Sequence, residues 1–130
     1  MSQVFTISLL DTHLAICRLD PGEDFSTTWL PQESFSAIIR TLDEISIVCD
    51  MHNAPPGAKV DADWRALKVH GPLPFELLGV LATLSQILAQ AGISIFVIST
   101  YDSDYLLVRE SKVKSAISAL SAAGHTVYGE

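Results

Sequence analysis

The chain has 130 residues, 48% of them apolar and 18% charged. That is enough to bury a core without a disulfide or a metal, and it excludes a disordered chain. Fifteen acids against eight bases give a net charge of −7, a field that repels phosphate backbones and anionic lipid and argues against nucleic-acid or membrane binding.

Residues 4–10 and 14–19 read as strands joined by a tight turn at Asp11-Thr12-His13. Residues 20–24 form a loop around Pro21-Gly22, and 26–31 suit one short helical turn. The stretch 35–41 fits a helix through Phe35, Ile38, Ile39 and Leu42, or a strand through Phe35, Ala37, Ile39 and Thr41. The paired isoleucines favour the strand, with Leu42-Asp43-Glu44 turning into a second strand at 45–49. Asn53-Ala54-Pro55-Pro56-Gly57-Ala58 is the most linker-like segment. It sets an expected boundary near residue 60, between units 1–60 and 61–130.

The second half is clearer. Residues 64–69 read as a strand closed by His70-Gly71-Pro72, and Pro74 suits the first turn of a helix over 75–91. The polar positions Glu76, Gly79, Thr83, Gln86 and Gln90 make one narrow stripe on it, so the rest of its surface needs covering. Gly92 ends the helix as a left-handed cap. Residues 93–100 are β-branched and apolar, Asp102-Ser103 is turn chemistry, and 105–109 is the returning strand. Ser111 is expected to cap a second helix whose apolar face is Val113, Ala116, Ile117, Leu120 and Ala123. Gly124 closes it before a last strand at 125–128. The order β-α-β-β-α-β is the split ferredoxin-like unit, an α+β fold.

Little in the chain suggests catalysis. His13, His52, His70 and His125 are widely spread, with no i, i+3 or i+4 pair, so no metal site is expected. Gly-x-Ser-x-Gly and the glycine-rich phosphate patterns are missing, and no histidine lies beside a cysteine in sequence. Cys17 and Cys49 sit in strand-like runs without Cys-x-x-Cys spacing and read as core residues of a reducing compartment. No signal peptide is evident, and residues 77–91 are too short and too polar to span a bilayer. A cytoplasmic protein without cofactor is therefore expected.

Two loops remain as candidates. His70-Gly71-Pro72-Leu73 precedes the first helix, where free N–H groups suit a carboxylate. Ser99-Thr100-Tyr101-Asp102-Ser103-Asp104 joins two strands, with hydroxyls for a carboxylate and acids for an amine. Together they suit an amino-acid zwitterion. Each piece also has a plainer reading: Gly71-Pro72 as a turn before a helix, Asp102-Ser103 as a hairpin turn, His70 as a solvated strand end. Asp104, at the start of a strand before Tyr105, is the least easily read as a turn residue.

Residues 71–108 resemble the ACT domain, the small regulatory module of amino-acid-sensing enzymes. Ala91-Gly92-Ile93-Ser94-Ile95 follows the helix as in that module, and Ile98-Ser99-Thr100 is similar to the effector loop of aspartate kinase regulatory domains. The run from Ser99 to Glu110 resembles the CASTOR-like branch, which includes the cytosolic arginine sensors of animals and many small bacterial proteins. Trp64-Arg65-Ala66-Leu67-Lys68-Val69 and Glu44-Ile45-Ser46-Ile47-Val48-Cys49 extend the likeness. The resemblance implies two tandem ferredoxin-like ACT units with antiparallel sheets and helices on one face, the first unit shortened. It also implies a non-catalytic sensor of an amino acid, a homodimer that rebuilds a four-unit arrangement, and a regulated protein partner. Carried over by position, His70, Gly71, Pro72, Leu73, Ser99, Thr100, Tyr101, Asp102 and Asp104 are the expected ligand residues. A structural interaction module without ligand, and a small enzyme on an amino-acid-derived substrate, are the second and third readings.

Overall fold

The computed structural model describes residues 4–23, 30–70 and 79–129. Its strands are β1 (Thr6–Leu9), β2 (Leu14–Leu19), β3 (Ala37–Arg40), β4 (Ile45–Asp50), β5 (Lys59–Val69), β6 (Phe96–Ser99), β7 (Asp104–Arg109) and β8 (Thr126–Tyr128); its helices are α1 (Val80–Gln90) and α2 (Val113–Ala122). The fold is α+β and ferredoxin-like, with the expected order β5-α1-β6-β7-α2-β8 in the second half. The chain divides into two compact units, one of residues 12–64 and one of residues 1–11 with 65–130. The boundary expected near residue 60 falls inside β5, and β1 belongs with the C-terminal unit.

In the unit of residues 12–64, β2 and β4 pair antiparallel from Leu14 opposite Asp50 to Leu19 opposite Ile45. Alternate residues, Ala15, Cys17, Leu19, Ile45, Ile47 and Cys49, are buried as one cluster, the period of two that a half-buried sheet demands. The ambiguous stretch at 35–41 is a strand: β3 pairs with β4, Ala37 opposite Val48 and Arg40 opposite Ile45. Thr41 shapes the turn between them, its Oγ1 accepting the amides of Asp43 at 3.1 Å and Glu44 at 3.2 Å. Where β2 meets β5 the register slips between Leu14 and Ile16. The extra residue makes a bulge in which Asp63 adopts φ 64°, a left-handed conformation that Asp tolerates better than most residues.

In the C-terminal unit the strands run β8-β1-β5-β7-β6. β1 pairs antiparallel with β5 and parallel with β8. It does not pair with β2, although the short connection at residues 11–13 suggests a hairpin. Ile7, Leu67, Val69, Leu106 and Val108 supply one wall of the core, and Leu84 and Leu88 of α1 with Ala116 and Leu120 of α2 supply the other. Both helices end as the sequence predicts: Gly92 (φ 77°) follows α1, and the Ile93 amide returns to the Leu88 carbonyl at 2.9 Å. The start of α2 differs. A 3-10 turn at Glu110–Lys112 leads into the helix, Lys112 holds the N-cap position, and Ser111 makes no cap bond. The tighter turn displaces the helix start past the serine. The residues of the expected helix before Gly79, and most of the expected helical turn at 26–31, lie outside the described residues.

Candidate ligand-binding site

The turn between β6 and β7 is closed by its own side chains. Phe96 opposite Leu107 and Ser99 opposite Asp104 set the hairpin register. The Thr100 amide donates to the Ser103 carbonyl at 2.8 Å, and Thr100 Oγ1 accepts the Ser103 amide at 3.2 Å and lies 3.1 Å from Ser103 Oγ. Ser103 is buried by this arrangement. Ser99 Oγ donates to Asp104 Oδ1 at 2.6 Å, a charge-assisted bond that fixes the carboxylate where the strand begins. Tyr101 and Asp102 form the exposed tip. A loop tied this way presents one oriented carboxylate without having to order itself on binding.

The other candidate loop is described only at its start. Gly71, Pro72 and Leu73 lie outside the described residues. The His70 amide donates to the Thr6 carbonyl at 2.9 Å, and its Nε2 lies 2.6 Å from Ser8 Oγ. Lys68 Nζ stands 5.9 Å from the centre of the Tyr105 ring, so the C-terminal end of β5 lies beside the N-terminal end of β7.

Strand parity separates these groups. Leu67 and Val69 on β5, and Leu106 and Val108 on β7, enter the core under the helices. Asp104 shares the parity of Leu106, so it and its partner Ser99 lie on the helix side. Lys68 and His70 lie on the opposite face. The structure thus brings Ser99, Thr100 and Asp104 together in one turn and sets His70 on the other side of the sheet. Ser8 and Lys68, absent from the sequence-based candidates, join His70 there. Alternation in residues 4–10 indicates that Ser8 faces away from Ile7 and Leu9, but only the β1–β5 pairing identifies its neighbours.

Two further features bound the chemistry. Among the described residues no three His, Cys, Asp or Glu side chains converge as metal ligands, and no helix is long and apolar enough to cross a membrane. His125 is buried, its Nδ1 accepts the Phe5 amide at 3.0 Å, and its ring stacks on that of Phe5 at 5.6 Å. Burial lowers its pKa below the ordinary histidine value, which suits a ring whose Nδ1 must stay unprotonated to accept.

A family model described as the ACT domain matches residues 59–122, and a second, described as an N-terminal domain, matches residues 12–56. The cytosolic arginine sensor for mTORC1 subunit 1 of Homo sapiens is 40% identical over 58 residues, as is that of Bos taurus. Each match covers 44% of this chain and 18% of the sensor, so the chain aligns with only a small part of those relatives. Among solved structures, a protein from Agobacterium tumefaciens is 34% identical with a TM-score of 0.89, covering 99% of this chain and 96% of that one. The regulatory subunit of aspartate kinase from Thermus thermophilus has a TM-score of 0.66 at 13% identity, covering 94% of this chain and 99% of its own, and shares the fold. Residues 59–122 thus belong to the ACT-domain family.

Proposed function

We propose that this ligand-binding regulatory module takes a free amino acid, in the cytoplasm, without chemistry of its own. The observation that carries the reading is the preorganised turn at residues 99–104 within the ACT-domain match: Ser99 holds the Asp104 carboxylate at 2.6 Å. That carboxylate suits the ligand's ammonium. Backbone N–H groups of Gly71 and Leu73, on either side of Pro72, would meet its carboxylate, with Thr100, Tyr101 and Asp102 around the turn. Binding would tighten a homodimer and so shift the state of a protein partner. The similarity to a protein named as an arginine sensor supports an amino acid as ligand.

Calorimetry against the twenty amino acids tests the proposal. At least one should give saturable heat, and Asp104→Ala should abolish it while the folded spectrum persists. Sedimentation with and without that amino acid checks the dimer. No heat and no thermal shift from any of the twenty refutes the reading.

One observation favours a second reading, a structural interaction module without ligand. The hydroxyls of Ser99, Thr100 and Ser103 are all engaged inside the hairpin, so the turn is complete by itself. In that case Asp104→Ala changes stability alone.

A further inference from the structure

The sheet face of the C-terminal unit turned away from α1 and α2 carries an ordered array of hydrogen-bond donors. Ile7 and Leu9 on β1 enter the helix-side core, so Thr6 and Ser8 point the other way, as Lys68 and His70 do from β5. Register aligns them. Ser8 stands opposite Lys68 on one side and Tyr128 on the other. Thr6 stands opposite Thr126, and the His70 amide bonds its carbonyl.

The result is two rows across three adjacent strands, Tyr128-Ser8-Lys68 and Thr126-Thr6-His70. With strands about 4.8 Å apart and same-face residues about 6.6 Å apart along a strand, the patch spans about 10 Å by 7 Å. Each of the six side chains is a cation, an imidazole or a hydroxyl. None is an acid, in a chain with fifteen of them. Among the described residues neither Lys68 nor His70 has a carboxylate partner. His70, Thr6 and Tyr128 are exposed, and Ser8 and Lys68 are half-buried, so the patch is open to solutes.

We propose that this face binds a small oxyanion, a carboxylate or phosphate group, between Lys68, Ser8 and His70. The Tyr105 ring steadies the Lys68 ammonium from one side, which leaves N–H donors for a ligand. The 2.6 Å contact between Ser8 Oγ and His70 Nε2 has two forms. With a proton on Nε2 the ring donates to Ser8, and the hydroxyl hydrogen turns outward. With Nε2 bare the hydroxyl donates into the ring and is lost to a ligand. An anion therefore selects the Nε2–H form, and binding reports itself at the His70 ring. The site does not rest on the amino-acid reading, because Ser99 and Asp104 lie on the helix side. Either proposal can fail alone.

The test is nuclear magnetic resonance of the whole chain, titrated separately with inorganic phosphate and with acetate against chloride at matched ionic strength. The expected result is a saturable shift at the Ser8, Lys68 and His70 amides and at the His70 ring nitrogens. Lys68→Gln should weaken binding by about tenfold or more, and Ser8→Ala should weaken it less, both with the core amide spectrum unchanged. Response to phosphate alone or to acetate alone identifies the ligand class. The proposal is overturned if neither anion gives a saturable shift at these residues, if chloride reproduces the shifts, or if the Lys68→Gln chain binds as tightly as the unaltered one.

Discussion

Replacing His125 by leucine should destabilise the chain and remove one step of its acid sensitivity. Leucine keeps most of the apolar volume but offers the Phe5 amide no acceptor, at a site where the residue is 5% exposed. A buried donor left without a partner costs about 1–3 kcal/mol. Losing the near-parallel stack on Phe5, with 13° between the rings, costs about 0.5–1.5 kcal/mol more. The sum is about 1.5–4.5 kcal/mol. For a chain of 130 residues that lowers the melting temperature by roughly 5–18 °C. Urea denaturation near pH 7.5 measures the energy, and hydrogen exchange at the Phe5 amide locates it. The pH dependence adds a second check. Burial lowers the folded-state pKa of His125, so on acidification the unfolded chain takes up this proton first, near the ordinary value of about 6.5. Stability therefore falls as pH drops from there to the folded-state pKa, then levels off. The variant lacks this step, so the gap between the two proteins narrows over that window. A variant within about 0.5 kcal/mol of the parent, the size of an ordinary surface change, or a gap that stays constant with pH, refutes the account of His125.

Other outcomes are equally specific. Cys17 and Cys49 are free and buried. Burial first, then the neighbouring Cys17 and the Asp50 charge, pushes the Cys49 thiol up to about 12, and burial also raises Cys17. Both should resist a thiol-specific colorimetric reagent at pH 8 until denaturant is added; rapid labelling of the native chain contradicts this. Leu84→Ala, at a fully buried position of α1, should cost about 2–5 kcal/mol in a denaturant titration. Arg65→Met removes two bonds to the Leu10 carbonyl, at 3.1 and 3.0 Å, and the ion pair with Glu110. It should cost about 1.5–3 kcal/mol. Glu110→Gln touches only a partly exposed pair and should cost less than about 1 kcal/mol, so equal losses would show that the Leu10 bonds contribute nothing.

Local chemistry was readable wherever a short stretch decides the outcome. The β-branched pair Ile38-Ile39 makes β3 a strand, and Gly92 and Gly124 stop the two helices. Ser111 misleads because a 3-10 turn and a serine cap are both compatible with Glu110-Ser111-Lys112, and nothing in those residues separates them. Strand neighbours were not readable. Alternation identifies the face on which Ser8 lies, but its pairing with Lys68 and Tyr128 is made across the whole chain. The candidate site shows the same division. The hydroxyls and acids of residues 99–104 form the turn their chemistry suggests. His70, next to Gly71 in sequence, is carried to the opposite face because it follows Val69 by one residue.

The route of the backbone around Leu10 has a practical consequence. The Leu10 amide meets the Ala66 carbonyl at 2.9 Å, so the backbone leaves the C-terminal unit and returns to it at the same spot. Residues 12–64 are thus an insert spliced into the mouth of a hairpin. A two-residue loop from Asp11 to Arg65 would excise them, whereas cutting before residue 61 would remove β1 from between β5 and β8. The same mouth is a natural socket for grafting a fluorescent reporter whose own ends lie close together.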